Sequence, residues 1–205
     1  MSSPDADVED VVVLVADDGT PVGTAPRLEV HGQDTPLHLA FSTYLYDELG
    51  RLLVTRRALD KRTWPGVWSN SSCGHLRPGE SAEEAVVRRV TEELGATPRD
   101  LVEVLPDFRY RAVDAGGVVE NELCPVLIGR VDTRELRPDR AEIAEWSWVD
   151  WDEIVRTATT TPALLSPWAV LQIRQLAASP AMPRGAAAPP AQPVRRPSRP
   201  DRSTP

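Results

Sequence analysis

The chain has 205 residues, 41% of them hydrophobic and 26% charged, which is enough for one domain with a substantial core. Its formal net charge of −8 argues against broad nucleic-acid binding. The sequence contains neither a long apolar run nor a basic-then-apolar leader, so we expect no membrane association and a cytoplasmic location. The two cysteines are too few for a disulfide framework and are predicted to be reduced thiols. Small-molecule chemistry is the favoured class of function.

Composition divides the chain into three segments. Residues 1–9 are predicted to be flexible, and residues 10–177 are predicted to form a single domain. Residues 178–205 are rich in Pro, Ala, Arg and Ser. Because this last segment has little apolar surface to bury, it is predicted to be a disordered tail.

The pattern of β-branched and aromatic residues predicts strands over residues 11–16, 38–46 and 51–56, the last two joined as a hairpin. Ser81 and Glu84 form a capping box ahead of apolar residues at helical spacing, and Gly95 follows, so a helix is predicted between them. Further strands are predicted over residues 102–113, 118–131 and 145–149, and a helix over residues 166–177. Since strands and helices mix without a regular βαβ alternation, the expected fold class is α+β.

The first predicted helix carries a recognisable motif. Gly74 is followed after five residues by Glu80 and after seven more by the segment RRVTEELG, residues 88–95. This pattern resembles the Nudix box, in which a loop, helix and loop place carboxylates that hold a divalent cation against a diphosphate. Simple surface salt bridges, Arg88 with Glu92 and Arg89 with Glu93, are the alternative interpretation. Hydrolytic members usually have Arg-Glu where this chain has Arg88-Arg89, which weakens the case for hydrolysis.

Histidines and paired carboxylates suggest a metal site. His31, His38 and His75 are the three histidines of the chain and fall on different predicted elements, so they can converge on one cation if the fold brings them together. Glu120 and Glu122 are two residues apart in a predicted strand and therefore face the same side. If that side is buried, the two carboxylates need a cation or a proton between them. The alternative interpretation is an exposed acidic edge strand.

Several segments together resemble type I isopentenyl diphosphate isomerases. They are, in order, HGQDTPLHLAF, LVTRRALDKRTWPGVWSNSSCGH, the Nudix-like box, PDFRYRA, ENELCPV and SPW. The resemblance implies a Nudix fold, a mixed β-sheet packed between helices, with an N-terminal extension. It also implies the interconversion of isopentenyl and dimethylallyl diphosphate through a tertiary carbocation, in isoprenoid biosynthesis.

The same resemblance implies roles for individual residues. Cys73 and Glu122 are the expected catalytic pair, with Glu122 as the expected proton donor and Cys73 as its partner. Trp168 is expected to stabilise the carbocation, and Tyr110 to be a hydrogen-bonding neighbour of Glu122. Glu93 is expected to help hold a Mg²⁺ ion on the diphosphate. The expected ligands of a separate Mn²⁺, Mg²⁺ or Zn²⁺ ion are His31, His38, His75, Glu120 and Glu122, and the expected diphosphate-binding residues are Arg27, Arg57, Lys61 and Arg89.

Other residues and other functions remain open at this point. Trp64, Trp68 and Cys124 are predicted to serve mainly in packing, and Arg27 departs from the lysine that the family usually has. One alternative function is a Nudix pyrophosphohydrolase acting on a nucleoside diphosphate derivative. Another is a non-catalytic nucleotide sensor, which leaves the combination of Cys73, Glu122 and Trp168 unexplained. We expect the protein to be a monomer.

Overall fold

The computed structural model describes residues 11–179. The predicted flexible segment, residues 1–9, lies outside this range, as does the predicted disordered tail from residue 180 onward. Ala178 ends the last helix and Ser179 is its C-terminal cap, one and two residues beyond the predicted domain boundary at residue 177. Within residues 11–179, no helix is both long and apolar enough to cross a membrane.

The described residues form eleven strands and three helices. The strands are β1 (Val11–Val15), β2 (Pro21–Pro26), β3 (His38–Tyr46), β4 (Leu52–Arg57), β5 (Trp68–Ser69), β6 (Ser72–His75), β7 (Arg99–Leu105), β8 (Arg109–Val113), β9 (Val119–Leu123), β10 (Val126–Arg130) and β11 (Ile143–Val149). The helices are α1 (Ala82–Leu94), α2 (Trp151–Thr160) and α3 (Pro167–Ala178), with a short 3₁₀ turn at Pro162–Leu164.

Strand β3 is the centre of the sheet and changes partners along its length. Near His38 it pairs with β1 and, in parallel, with β9. It then pairs antiparallel with β6, and its C-terminal half runs parallel to β10. At Tyr46 it meets β4, which confirms the predicted hairpin, and β4 in turn pairs with β11. The strands that branch at the start of β3 therefore bring distant parts of the chain to one place.

Helices cover both faces of this mixed sheet. Phe41 and Leu45 of β3 point toward α1, where they join Val86, Val90 and Leu94 in one buried cluster. The intervening residues of β3, such as Tyr44, point to the opposite face and pack with residues of α2 and α3. Full burial of an aliphatic side chain stabilises the fold by about 1.5–3 kcal/mol. The predicted α+β class, with a mixed sheet between helices, is confirmed.

Helix α1 has the boundaries that its sequence predicts. The Ser81 hydroxyl accepts a hydrogen bond from the backbone N–H of Glu84, and the Glu84 carboxylate accepts one from the backbone N–H of Ser81, which completes the capping box. Gly95 ends the helix with a φ of 64°, and a Cβ atom there would lie 2.8 Å from the Cβ of Arg137. Glycine is therefore required at this helix end by both conformation and space.

Several features differ from the sequence prediction. Residues 102–113 form two strands, β7 and β8, because a turn at Pro106-Asp107 interrupts them. Residues 118–131 likewise form β9 and β10, separated at Cys124-Pro125, where proline has no N–H to continue a ladder. Strands β2, β5 and β6 and helix α2 were not predicted. Helix α2 buries Trp151, Ile154 and Ala158, a helical spacing that the sequence does contain.

Candidate active site

Five potential metal ligands meet where β3, β6 and β9 adjoin. His38 begins β3 and pairs in register with Glu122 of β9, while His75 ends β6 and pairs with Ala40 of β3. One ligand atom from each residue of the cluster lies within 4.8 Å of the corresponding atom of every other. The cluster consists of His31, His38, His75, Glu120 and Glu122. His75 is thus the last residue of β6.

The loop that carries His31 is fixed to strand β9. The backbone N–H of Val119 donates to the Gly32 carbonyl at 2.7 Å, and the Asn121 amide donates to the Thr35 carbonyl at 3.1 Å. Asn121 stands between the two glutamates, so its side chain leaves the strand on the side opposite to theirs. These bonds hold the loop against the same strand that presents the carboxylates.

The donor atoms of this cluster suit a divalent cation. His31 Nε2, His38 Nε2 and Glu120 Oε2 are buried and have no hydrogen-bond partner among the described residues, although His31 Nε2 and Glu120 Oε2 lie only 2.9 Å apart. His38 Nδ1 is 2.9 Å from the Pro36 carbonyl, which leaves Nε2 directed at the cluster. Buried polar atoms without partners are costly, and a cation shared by imidazole nitrogens and carboxylate oxygens would satisfy them.

The electrostatic balance of the cluster depends on Glu122. Burial opposes ionisation of this carboxyl, but hydrogen bonding and charge interactions with His38 and His75 outweigh burial and hold the pKa of Glu122 well below its usual range. Burial also acts against the charged form of His38, yet Glu122 raises the pKa of His38 overall. For His75, burial dominates and lowers the pKa. The two imidazoles that contact Glu122 therefore favour its carboxylate form.

Cys73 lies on β6, paired in register with Ser42 of β3, and lines the same cavity as Glu122. Burial raises the pKa of the Cys73 thiol to about 12, against the opposing influence of Arg57. The thiol therefore keeps its proton at neutral pH. Cys124 is fully buried and joins the core cluster, in agreement with the packing role predicted for it.

The cavity has a volume of about 320 Å³ and is lined by cationic side chains as well as by His31 and His75. Arg27, Arg57, Lys61 and Arg89, all predicted from sequence, line it. Arg62, Arg77 and Arg88 line it as well and were not predicted. Because seven cationic side chains outnumber the five carboxylates of the lining, this concave site favours an anionic ligand such as a diphosphate.

Arg89 lies over strand β6. A Cβ atom on Gly74 would lie 3.3 Å from the Arg89 side chain, so glycine at the start of the box allows this close approach. Arg89 contacts Glu93 and lies 3.1 Å from Glu92. Glu93 is buried and also accepts a hydrogen bond from the Ser72 hydroxyl at 3.0 Å, and burial raises its pKa. Glu93 therefore faces the cavity beside the predicted diphosphate-binding residues.

Glu80 and Arg88 form the other ion pair of the box. Arg88 donates through Nε and Nη2 to the two oxygens of Glu80, both at 2.7 Å, and also to the His75 carbonyl at 3.1 Å. The predicted pairing of Arg88 with Glu92 is the weaker contact, at 3.8 Å. Arg88 thus ties helix α1 to the loop and to the end of β6.

Glu142 is an acidic residue of the cavity that the sequence did not indicate. Its carboxylate contacts Lys61 and lies 3.6 Å from Arg89, and its backbone carbonyl accepts a hydrogen bond from Ala58 at 2.9 Å. It precedes β11 and belongs to no motif that the sequence displays. Only the pairing of β11 with β4 brings it to the cationic residues.

Aromatic residues close the apolar side of the cavity. Trp168 is 3% exposed, and its ring centroid lies 5.8 Å from Tyr110 and 5.4 Å from Trp64. The Arg57 guanidinium lies 5.8 Å from the Trp168 ring, which shows that a cation can approach this indole. Tyr110 pairs in register with Glu122 across β8 and β9. Trp64, predicted to be a packing residue, packs directly on Trp168.

The model of the NUDIX domain family matches residues 36–169. A protein of Deinococcus radiodurans has a similar fold, with a TM-score of 0.59 and 19% identity over 80% of this chain and 98% of that one. A MutT NUDIX hydrolase from Burkholderia pseudomallei has a TM-score of 0.52 and 20% identity over 68% of this chain and 98% of that one. By fold and by family, this chain is a Nudix protein.

Curated relatives define the family more narrowly. Isopentenyl-diphosphate Delta-isomerase from Frankia alni is 60% identical over 82% of this chain and 86% of the relative. The protein of the same name from Mycolicibacterium vanbaalenii is 53% identical over 86% of this chain and 96% of the relative. The one from Leifsonia xyli is 55% identical over 85% of this chain and 95% of the relative. The chain belongs to the isopentenyl-diphosphate Delta-isomerase family.

Proposed function

We propose that this protein interconverts isopentenyl diphosphate and dimethylallyl diphosphate. The observation that carries the proposal is that one cavity is lined by Cys73, Glu122 and Trp168 together with Arg27, Arg57, Lys61 and Arg89. The first three residues are of the types that the hydrocarbon chemistry needs, and the cations are of the type that a diphosphate needs. The names of the relatives support the same activity.

The double bond moves when one carbon of the alkene gains a proton and another carbon loses one, through a tertiary carbocation. Two proton-transferring groups are required, and Cys73 and Glu122 are the proposed pair. Because the reaction runs in both directions, each group donates in one direction and accepts in the other. The indole of Trp168 would face the carbocation and stabilise it without a nucleophile that could trap it, an interaction worth about 2 kcal/mol when desolvated.

The cationic residues would bind and orient the diphosphate. Arg57 and Arg89 offer planar guanidinium groups that suit phosphate oxygens, while Lys61 offers a compact charge. Arg27 lines the cavity beside them. Anchoring the diphosphate on this side would leave the five-carbon chain on the side of Cys73, Glu122 and Trp168. The buried aromatic residues there would exclude water from the carbocation.

We propose a divalent cation, Mn²⁺, Mg²⁺ or Zn²⁺, held by His31, His38, His75, Glu120 and Glu122. Such a cation would neutralise the paired carboxylates and set the proton affinity of Glu122. Glu93 is proposed to help hold a second cation, Mg²⁺, against the bound diphosphate, a role that its buried carboxylate beside Arg89 supports. We further propose that the protein acts as a monomer in the cytoplasm.

The experiment that tests the proposal is NMR of the purified protein with isopentenyl diphosphate and Mg²⁺ in D₂O. We expect dimethylallyl diphosphate that contains deuterium, with no release of phosphate. Unchanged isopentenyl diphosphate would contradict the proposal. Unchanged isopentenyl diphosphate together with hydrolysis of nucleoside diphosphate derivatives would identify a Nudix pyrophosphohydrolase. Arg89, in the position where hydrolases usually have glutamate, disfavours that alternative.

A further inference from the structure

We propose that Asn70 is a positioning residue that sets the orientation of the Trp168 indole for the isomerisation. The inference rests on the proposed function, because it concerns how the aromatic face for the carbocation is held. Asn70 is 2% exposed and lies between β5 and β6, three residues before Cys73. It does not line the cavity, so it would act on the reaction through its neighbours.

The side-chain amide of Asn70 uses all of its hydrogen-bonding capacity. Its Nδ2 donates to the Thr43 carbonyl at 3.2 Å and to the Ser72 carbonyl at 2.7 Å. Its Oδ1 accepts from the Ser69 hydroxyl at 2.7 Å and from the Trp168 indole N–H at 3.1 Å. With two donors and two acceptor positions engaged, only one orientation of the amide satisfies every partner. The oxygen that faces Trp168 is therefore fixed.

The hydrogen bond from the Trp168 indole N–H to Asn70 sets the orientation of the indole in the cavity wall. The tilted contact with Tyr110 and the edge contact with Trp64 confine the ring, but neither provides a directional partner for its N–H. The N–H at the ring edge has a directional partner in Asn70, and a buried indole N–H needs one. By accepting this hydrogen bond, Asn70 also polarises the indole and increases the negative charge on its face, which favours a cation there.

Asn70 also connects the tryptophan to the strand that carries the catalytic thiol. Its Nδ2 donates to the carbonyl of Ser72, the residue that precedes Cys73. The Thr55 hydroxyl in turn donates to the Asn70 backbone carbonyl at 2.8 Å. The same amide thus holds the proposed proton-transferring strand and the proposed cation-stabilising ring at a fixed separation.

The test compares Asn70→Ala, Trp168→Phe and the double variant in isomerase assays. Asn70→Ala removes all four side-chain hydrogen bonds, and loss of the one to the indole N–H would by itself lower kcat by about three- to tenfold, with KM nearly unchanged. Phenylalanine has no N–H, so in the Trp168→Phe background the loss caused by Asn70→Ala should shrink. In the NMR spectrum of protein labelled with ¹⁵N-tryptophan, the indole signal that disappears in Trp168→Phe should move upfield in Asn70→Ala.

Ser71→Ala is the matched control for disturbance of this buried segment. The Ser71 hydroxyl donates to the Leu53 carbonyl at 2.6 Å and accepts from the Leu45 N–H at 2.7 Å, away from Trp168. This variant should keep both kcat and the indole signal. The positioning role alone would be overturned if Asn70→Ala lowered kcat by the same factor in the wild-type and Trp168→Phe backgrounds. An unshifted Trp168 indole signal in Asn70→Ala would overturn it as well. A wild-type protein that does not convert isopentenyl diphosphate would overturn the proposed function, and the positioning role with it.

Discussion

Cys73 and Glu122 reach one cavity from two strands that both pair with β3. Cys73 is opposite Ser42 and Glu122 is opposite His38, so the register of a single strand sets their relative position. A shift of one residue in either register would turn the side chain to the other face of the sheet. The chemistry proposed here therefore depends on backbone pairing as much as on the two residue types.

Substitution of either residue should separate chemistry from binding. We expect Cys73→Ala and Glu122→Gln each to abolish isomerisation, because one of the two proton transfers would have no donor or acceptor. Inorganic pyrophosphate should still bind in isothermal titration calorimetry, since the cationic residues are unchanged. Cys124→Ala, the control at the other cysteine, should keep most of the activity. Near-normal turnover in Cys73→Ala or Glu122→Gln would show that the role assignment is wrong.

Glu142 is an anion beside the cations that are proposed to bind the diphosphate. Its carboxylate shares Lys61 and Arg89 with the proposed diphosphate, so the two anions would compete for the same cations. Such partly exposed ion pairs contribute about 0.2–1 kcal/mol. Glu142→Gln should therefore bind inorganic pyrophosphate up to about fivefold more tightly in calorimetry. Weaker binding would instead indicate that Glu142 helps to hold a cation on the diphosphate.

At the scale of elements, helix α1 is defined by its ends and by one buried face. The capping box at Ser81 and the left-handed Gly95 are local features that the sequence displays directly. Helix α2 was not predicted, although Asp150 occupies its N-cap and Asp152 and Glu153 its first turn. Asp150 makes no side-chain capping hydrogen bond, and no glycine ends the helix. The sequence prediction missed the breaks between β7 and β8 and between β9 and β10. Each break is a single proline-containing turn or step within a run that is otherwise rich in β-branched and apolar residues. The sequence thus predicts elements most reliably where local chemistry stabilises them.

The cap of helix α1 can be tested without touching the cavity. Ser81→Ala removes the hydroxyl that accepts the Glu84 N–H, so we expect the free energy of unfolding to fall by about 1 kcal/mol. Urea denaturation would measure this change, and turnover per folded molecule should stay the same. Thr91→Ala, an exposed substitution on the same helix, should cause no loss of stability. Equal effects of the two changes would contradict a capping role.

At the scale of the whole molecule, the proposed metal site joins segments that are far apart in sequence. Its ligands come from the loop after β2 and from β3, β6 and β9. A cation bound there would connect the N-terminal strands to the centre of the sheet. Because the unfolded chain cannot hold these five groups together, a bound metal should stabilise the folded state selectively.

Removal of metal should therefore lower thermal stability. At a metal concentration one hundred times Kd, the expected stabilisation is about 2.7 kcal/mol, which corresponds to a Tm change of roughly 5–10 °C for a domain of this size. Differential scanning fluorimetry with and without EDTA would measure it, and adding Mn²⁺, Mg²⁺ or Zn²⁺ back should restore Tm. His31→Ala should show a smaller response to EDTA. An identical Tm in every condition would contradict a metal at this cluster.

The sequence by itself determined the α+β class, the box helix with both its ends, and a set of residue types suited to a diphosphate and a carbocation. These features are local, because they follow from spacing, capping residues and motifs along the chain. Only the tertiary structure decided that His31, His38, His75, Glu120 and Glu122 lie within reach of one cation, and that Glu142 and Asn70 belong beside the site. Their placement depends on strand register and sheet topology, which join residues distant in sequence through long-range contacts that no local pattern encodes.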